Sequence, residues 1–316
     1  MSRIIADVGG TNTRIALVEQ SSNAINQPEC YTNREHASLE CILEEWLRRQ
    51  NVRVKHCVLA VAAPPSEDRV TMTNMDWSFS CRELASRFGF EKLLRLNDFE
   101  ASAYALPYLD QNDLVSIKAG TRSSGTRMAI IGPGTGLGGA VLHTRGDEVR
   151  SLACEPGQMG LSASTELELE LLRWLLAKEG SSHAELLVSG PGLSRLYLAL
   201  ADIRGETVVD LPPADITDLA QAEENALAEE TLRIFCALLG SVCGDFLLAT
   251  GSYDGLFISG GIIPGLWPFL KNSEFNQRFI DKGVMRGTLD QTPVQVVTCP
   301  YPGLIGAARV PLNLSC

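Results

Sequence analysis

The sequence has few of the features that mark nucleic-acid-binding, membrane or exported proteins. Lys and Arg number 27 against 38 for Asp and Glu, and no basic run occurs, which argues against a nucleic-acid surface. The most apolar stretch, residues 234–270, contains Asp245, Asp254 and two prolines, so it lacks the roughly 20 unbroken apolar residues of a membrane span. Asp7 and a glycine pair stand where a signal peptide would be apolar, so no export is expected. These absences favour a cytoplasmic protein without nucleic-acid or membrane partners.

Cysteine spacing excludes another group of sites. The nine cysteines are odd in number, and none belongs to a C-x2-C pair of the kind that anchors zinc or a dithiol redox centre. We therefore expect reduced thiols and no structural zinc. The length of 316 residues predicts two domains, at roughly 100–200 residues for each.

Strand and helix patterns alternate along the whole chain, which predicts an α/β fold. A strand–turn–strand unit occurs twice, about 125 residues apart. The first unit has strands 3–7 and 13–18 around a turn at 8–12, and the second has strands 127–131 and 140–143 around a glycine-rich turn at 132–139. Repetition of such a unit suggests a duplicated fold with the active site between the copies. A long helical region is predicted at 216–248, interrupted by Gly240 and Gly244.

The two glycine-rich turns are candidates for phosphate binding. Residues 134–139 satisfy the G-x-G-x-x-G dinucleotide pattern, and Glu155 follows about 20 residues on. That pattern requires a helix next, whereas residues 140–150 alternate like a hairpin, which disfavours an oxidoreductase. A P-loop is absent because no Gly-Lys-Ser or Gly-Lys-Thr occurs. Exposed backbone N–H groups of glycine turns can cradle phosphate, with Asp7 as a Mg²⁺-facing carboxylate and Thr135 as a donor. For either turn alone, an ordinary tight turn is the favoured explanation.

Several polar residues stand where functional groups commonly lie, yet each has an ordinary structural explanation. Asn97 and Asp98 follow a strand and precede a helix, but Asn and Asp are also preferred N-caps. Glu185 could close a capping box from Ser182, and Glu155 and Gln158 could be solvated loop residues. Individually these residues decide nothing.

Short motifs follow one another over nearly the full chain. They are Asp7-Val-Gly-Gly-Thr-Asn12, Met72-Thr-Asn74 with Trp77-Ser-Phe-Ser80, Leu96-Asn-Asp-Phe99, Gly132-Pro-Gly-Thr-Gly-Leu-Gly138, Glu155-Pro-Gly157, Leu187-Val-Ser-Gly-Pro-Gly-Leu193, Phe257-Ile-Ser-Gly-Gly-Ile262 and Pro302-Gly-Leu-Ile-Gly306. In their order and spacing they resemble the bacterial glucokinase family.

This resemblance implies a fold and an activity. The fold is the duplicated actin/hexokinase-like (ribonuclease H-like) ATPase fold, with ATP and glucose in the cleft between two domains. The expected domains are a small one at 1–108, to which 300–316 returns, and a large one at 109–299. The implied activity is ATP-dependent phosphorylation of glucose at its 6-hydroxyl, in a cytoplasmic homodimer.

The resemblance also implies roles for individual residues. Asp98 is the catalytic base, and Asp7 lies near Mg²⁺, through water. The implied sugar-binding residues are Asn74, Asn97, Asp98, Glu155, Gln158 and Glu185. The implied ATP-binding residues are Ala6, Asp7, Val8, Gly9, Gly10, Thr11, Gly132, Gly134, Thr135, Gly136, Gly260 and Gly261.

Two departures from related patterns keep alternatives open. Gln158 stands where the family motif Glu-x-Gly-His has a sugar-contacting histidine, so a kinase for another hexose is the nearest alternative. The cysteine-rich zinc motif of the neighbouring repressor–kinase group is missing. A non-catalytic regulator that binds sugar and ATP, and a phosphoryl donor such as polyphosphate or ADP, also stay open.

Overall fold

The computed structural model describes residues 2–19, 24–63, 68–72, 75–121 and 126–313. Its strands are β1 (Arg3–Val8), β2 (Asn12–Val18), β3 (Glu29–Thr32), β4 (His56–Val61), β5 (Arg69–Thr71), β6 (Ser78–Ser80), β7 (Lys92–Asn97), β8 (Leu114–Lys118), β9 (Arg127–Pro133), β10 (Leu137–Arg145), β11 (Glu148–Cys154), β12 (Leu256–Ile258) and β13 (Val294–Val297). Its helices are α1 (Leu39–Gln50), α2 (Cys81–Phe88), α3 (Asp98–Ala105), α4 (Glu166–Glu179), α5 (Gly190–Arg204), α6 (Pro213–Gln221), α7 (Ala226–Thr250), α8 (Ile263–Asn272), α9 (Phe275–Ile280), α10 (Arg286–Gln291) and α11 (Pro302–Arg309).

The chain divides into two units. The first comprises Met1–Leu109, Arg145–Ala153 and Cys299–Cys316, and the second comprises Asp110–Thr144 and Cys154–Thr298. Residues 145–153 therefore group with the first unit, although the sequence placed them in the second domain. A hydrogen bond within the first unit, from the Ser151 N–H to the Tyr104 hydroxyl at 3.2 Å, contributes to this grouping.

The first unit is built on a five-stranded sheet in the order β3-β2-β1-β4-β7. Strand β1 is antiparallel to β2 and parallel to β4, which is in turn parallel to β7. Helix α11 lies close against α3, because Gly306 has no Cβ and a Cβ there would overlap the Ala101 carbonyl oxygen. Arg3 donates to the carbonyl oxygens of Ala308 and Val310 and so holds the end of α11 on β1.

A six-stranded sheet in the order β11-β10-β9-β12-β13-β8 repeats this arrangement, and all of its strands except β11 lie mainly in the second unit. Strand β9 is antiparallel to β10 and parallel to β12, as β1 is to β2 and β4. The predicted repeat of the strand–turn–strand unit is thus confirmed. The second glycine turn is followed by β10 and then β11, with no helix after it. A dinucleotide-binding fold requires a helix at that point, so this alternative is excluded.

Helix α7 corrects one sequence-based prediction. It continues through Gly240 and Gly244, and the predicted helical region breaks instead between α6 and α7. A Cβ at Gly240 would overlap the Phe275 carbonyl oxygen, and one at Gly244 would lie 2.5 Å from that of Phe279, so these glycines let α9 pack closely on α7. By length and composition α7 could cross a membrane, but 78% of its apolar segment is buried within the protein.

Candidate active site

The first glycine turn, residues Gly9–Thr11, joins β1 to β2. The Gly9 N–H donates to the Asn12 carbonyl oxygen at 3.0 Å and closes the turn. The N–H groups of Gly10 and Thr11 donate to no group in the described part of the chain. The side chains of Ala6 and Val8, which precede the turn, are fully buried in the core, so these two residues present only backbone. The turn therefore offers amide donors of the kind that bind phosphate.

Asp7 provides a carboxylate beside this turn. Burial raises the pKa of Asp7 above its ordinary value, and the Arg14 guanidinium, 3.9 Å away on β2, acts in the opposite direction. A Cβ at Gly303, in the first turn of α11, would lie 3.6 Å from the Asp7 carboxyl carbon. Within the described residues no hydrogen bond engages this carboxylate, so it retains its acceptor capacity.

The surroundings of Asp7 fit a weakly held Mg²⁺. The described residues contain no cluster of three or more His, Cys, Asp or Glu that could hold a metal alone. Mg²⁺ commonly keeps several waters and is held by one or two carboxylates together with substrate phosphates. A single carboxylate with open acceptor positions, beside a turn that offers backbone amide donors, is compatible with that mode of binding.

Asn97 and Asp98 lie where β7 ends and α3 begins. Asn97 is the N-cap: its Oδ1 accepts from the Phe99 N–H at 2.9 Å, and its own N–H donates to Glu100 Oε2 at 2.9 Å. Asp98 Oδ1 shares the Phe99 N–H at 3.0 Å. The N-cap role, which the sequence offered as the ordinary explanation for both Asn97 and Asp98, thus belongs to Asn97, in a capping box with Glu100.

The second glycine turn is shorter than the sequence indicated, because β9 extends to Pro133 and β10 begins at Leu137. The turn is closed by the Gly134 N–H, which donates to the Gly136 carbonyl oxygen at 2.8 Å. The Gly190 N–H, at the start of α5, donates to the Gly134 carbonyl oxygen at 2.7 Å. Thr135 is exposed, whereas Gly132 is buried in β9 opposite Gly138.

Gly260 and Gly261 follow β12 and lie against the second glycine turn. Gly260 has a φ of 114°, and a Cβ there would overlap the Pro133 carbonyl oxygen, so close packing requires glycine. A Cβ at Gly134 would meet no protein atom closer than the Gly261 nitrogen at 3.9 Å, and one at Gly261 would meet none within 4 Å. Open space therefore borders Gly134 and Gly261, as a cradle for phosphate requires.

Glu185 connects the second glycine turn to the candidate sugar-binding residues. Its Oε2 accepts from the Leu137 N–H at 2.7 Å rather than closing a capping box with Ser182. A Cβ at Gly136 would lie 2.5 Å from this oxygen and one at Gly157 would lie 2.9 Å from it. Glycine at both positions therefore makes room for the Glu185 carboxylate.

Glu155 and Gln158 lie on the short 3₁₀ turn that follows β11. Partial burial, and then the negative charge of Glu185, raise the pKa of Glu155 above its ordinary value. The Gln158 N–H donates to the Glu155 carbonyl oxygen at 3.1 Å, and Gln158 is exposed. The structure thus brings Glu155, Gln158 and Glu185 together with the second glycine turn. Asn74 lies outside the described residues.

Two supporting residues were not predicted from the sequence. Ser189 is the N-cap of α5; its hydroxyl donates to the Glu185 carbonyl oxygen at 2.8 Å and accepts from the Gly192 N–H at 2.9 Å. The Ser-Gly-Pro pattern of a helix start was available as a signal for it. Asn33 contacts the first glycine turn from 20 or more residues along the chain, and no local pattern indicates that contact.

The fold, with its repeated strand–turn–strand unit, is that of the actin/hexokinase-like class. The ROK-family glucokinase from Streptomyces griseus, solved with glucose and AMPPNP, matches with a TM-score of 0.64 at 18% identity over 98% of each chain, which shows the same fold. A glucokinase from an Antarctic psychrotroph matches more closely, with a TM-score of 0.89 and 38% identity over 98% of each chain. The glucokinase of Saccharophagus degradans is 39% identical over 96% of each chain. The Glucokinase family model matches residues 4–313, and the chain belongs to the glucokinase family.

Proposed function

We propose that this protein transfers the γ-phosphoryl group of ATP to the 6-hydroxyl of glucose, giving glucose 6-phosphate and ADP. Family membership supports ATP and glucose as its substrates. The observation that carries the proposal is the bond between Glu185 and the Leu137 N–H, with Glu155 close by. Carboxylates are acceptor-only groups suited to sugar hydroxyls, and here they adjoin a backbone turn suited to phosphate.

Asp98 would act as the general base. The glucose O6 forms a bond to the γ-phosphorus as the bond to the β,γ-bridging oxygen breaks, and ADP leaves with that electron pair. Asp98 takes the O6 proton and orients the hydroxyl for attack. The location of Asp98 at a strand end, beside a capping box that Asn97 and Glu100 form, supports this assignment.

Glucose would be held by Asn97, Glu155, Gln158 and Glu185, with Asn74 assigned by resemblance alone. A hydrogen bond to a charged group contributes roughly 1.5–3 kcal/mol, so the two glutamates would supply much of the affinity. Because Gln158 replaces the family's histidine, a kinase for another hexose is the second candidate. Its exposed amide on the same turn as Glu155 gives that candidate a specific basis.

The ATP phosphates would be bound by the backbone of both glycine turns and by Gly261. Ala6, Val8, Gly9, Gly132 and Gly260 would support those turns through their backbone, and Thr135 would donate its hydroxyl. Asp7 would hold Mg²⁺ through water; the ion, when bound, neutralises charge on the phosphates.

We further infer a cytoplasmic homodimer without nucleic-acid or membrane partners. The net charge of −11 disfavours nucleic acid, and the free thiols of Cys30, Cys41, Cys57, Cys236 and Cys243 suit a reducing compartment. The dimer is inferred from the family and is tested by light scattering of the purified protein.

A coupled assay of ATP with glucose, mannose and glucosamine tests the function. Asp98→Asn should lower kcat by about 10²-fold or more while glucose binding stays measurable, because an amide cannot accept the proton. Glu100→Ala is the matched control: it removes the cap on the Asn97 N–H, so it should lower the Tm and reduce kcat far less. Near-normal kcat in Asp98→Asn would exclude Asp98 as the base, and a hexose favoured over glucose would support the second candidate.

A further inference from the structure

Asn33 is a buried polar residue that contacts the first glycine turn at several points. Only 1% of it is exposed, and it follows directly after β3. Its Nδ2 donates to the Gly9 carbonyl oxygen at 2.8 Å, and its backbone N–H donates to the Thr11 carbonyl oxygen at 2.9 Å. Its Oδ1 accepts from the Thr13 hydroxyl at 2.7 Å. One residue thus binds both the start and the end of the turn.

These contacts allow only one orientation of the Asn33 amide. The Gly9 carbonyl can only accept, so the atom that faces it has to be the amino nitrogen. The same nitrogen lies 3.7 Å from Met75 Sδ, a weak acceptor, and the oxygen takes the Thr13 hydroxyl. All polar atoms of the side chain are therefore engaged, as burial requires.

This orientation determines which way the turn presents its backbone. No cis peptide occurs in the described part of the chain, so the Gly9 carbonyl and the Gly10 N–H point in opposite directions across one planar peptide. Because Asn33 holds the Gly9 carbonyl, the Gly10 N–H points away from Asn33. The carbonyls of Gly9 and Thr11, which would repel phosphate oxygens, are both bound to Asn33, while the N–H groups of Gly10 and Thr11 retain their donor capacity.

We infer that Asn33 is a positioning residue for ATP, acting through the Gly9–Gly10 peptide; this rests on the proposed assignment of the first glycine turn to phosphate. Without the Asn33 side chain, the glycine-rich peptide can rotate and turn a carbonyl toward the phosphates. Nucleotide affinity then falls, while the residues proposed to bind glucose keep their contacts.

Three variants test the inference by calorimetric titration with AMPPNP plus Mg²⁺ and, separately, with glucose. Asn33→Ala removes the side-chain bond to the Gly9 carbonyl and should weaken AMPPNP binding about tenfold, with the glucose Kd within about twofold. Thr13→Val removes only the hydroxyl that orients the amide, at nearly constant volume, and should weaken AMPPNP binding about threefold. Val58→Ala is the control: it opens a cavity at the fully buried Val58 in β4 of the same unit and should lower the Tm without changing either Kd.

Two outcomes would overturn the inference. One is an unchanged AMPPNP Kd in folded Asn33→Ala, and the other is an equal loss of affinity for AMPPNP and glucose. If Asn33→Ala does not fold, Thr13→Val carries the test, and an unchanged AMPPNP Kd there is equally contrary. Failure of the wild-type protein to phosphorylate glucose would instead contradict the proposed function. The titrations measure the binding of AMPPNP and of glucose without turnover, so their outcome does not depend on that result.

Discussion

Gly134 and Gly136 are two glycines of one turn that should respond to the same substitution in different ways. Neither has a φ in the left-handed region, so alanine is sterically allowed by the backbone at both. At Gly136 the added methyl would lie 2.5 Å from Glu185 Oε2, whereas at Gly134 the nearest atom, the Gly261 nitrogen, is 3.9 Å away. Gly136→Ala therefore has to displace a carboxylate, and Gly134→Ala displaces no protein atom.

The size of the Gly136→Ala effect follows from the bond that is lost. Glu185 Oε2 is the far end of a flexible side chain, so it can move aside without a shift of the backbone. Its 2.7 Å bond to the Leu137 N–H would be broken, however, and a hydrogen bond to a charged group contributes roughly 1.5–3 kcal/mol. If a glucose hydroxyl depends on that carboxylate position, the KM for glucose should rise about ten- to hundredfold.

Steady-state kinetics with each substrate varied separately measure the two effects. Gly136→Ala should raise the KM for glucose, while Gly134→Ala should raise mainly the KM for ATP, because its methyl enters the open space proposed for phosphate. The Tm of Gly134→Ala should stay close to that of the wild type, whereas the Tm of Gly136→Ala should fall because the bond between Glu185 and the Leu137 N–H is lost. An unchanged KM for glucose in Gly136→Ala, or equal changes in both constants in Gly134→Ala, would refute this reasoning.

Three further predictions concern sugar selectivity, pH and stability. Gln158→His should lower the KM for glucose several-fold and keep kcat within about threefold, because a stiff ring loses less entropy on binding than a glutamine side chain. The histidine should also add a pH dependence at about pH 6.5. Unchanged KM values for glucose, mannose and glucosamine would contradict this prediction. Because the pKa of Glu155 is raised, this carboxylate is neutralised at a higher pH than an ordinary glutamate when the pH is lowered. The KM for glucose should therefore already increase while the falling pH is still above about 4.5, the ordinary glutamate value. In Glu185→Gln that rise should move to lower pH, and an unmoved profile would exclude coupling between the two carboxylates. Glu223→Gly, at an exposed helix end with a φ of 57°, should raise the free energy of unfolding by about 0.5–1 kcal/mol in urea titrations, and a decrease would show that the left-handed backbone is not strained.

The repeated strand–turn–strand unit and its glycine turns could be predicted because their causes are local. Short apolar runs define β1, β2, β9 and β10, and glycine-rich stretches define the turns between them. The family resemblance rests on such local motifs too, and the comparisons confirm it over residues 4–313. The roles of individual site residues stay predictions, although the structure groups Glu155, Gln158 and Glu185 as that assignment requires.

Long-range packing decided what the sequence could not. Gly240 and Gly244 have low helix propensity and were interpreted as interruptions of a helix, but the close approach of α9 offsets a local cost of about 1 kcal/mol for each. Gly136 was assigned to phosphate, and only the tertiary structure shows that it also makes room for a carboxylate 49 residues further along the chain. The role of Asn33 was not predicted because a buried amide is recognised by its partners, and the side-chain partners of Asn33 lie 20 or more residues away along the chain. The sequence by itself therefore determined the elements, the turns and the family, whereas the bonds that orient those turns depend on contacts between distant segments, which no local pattern records.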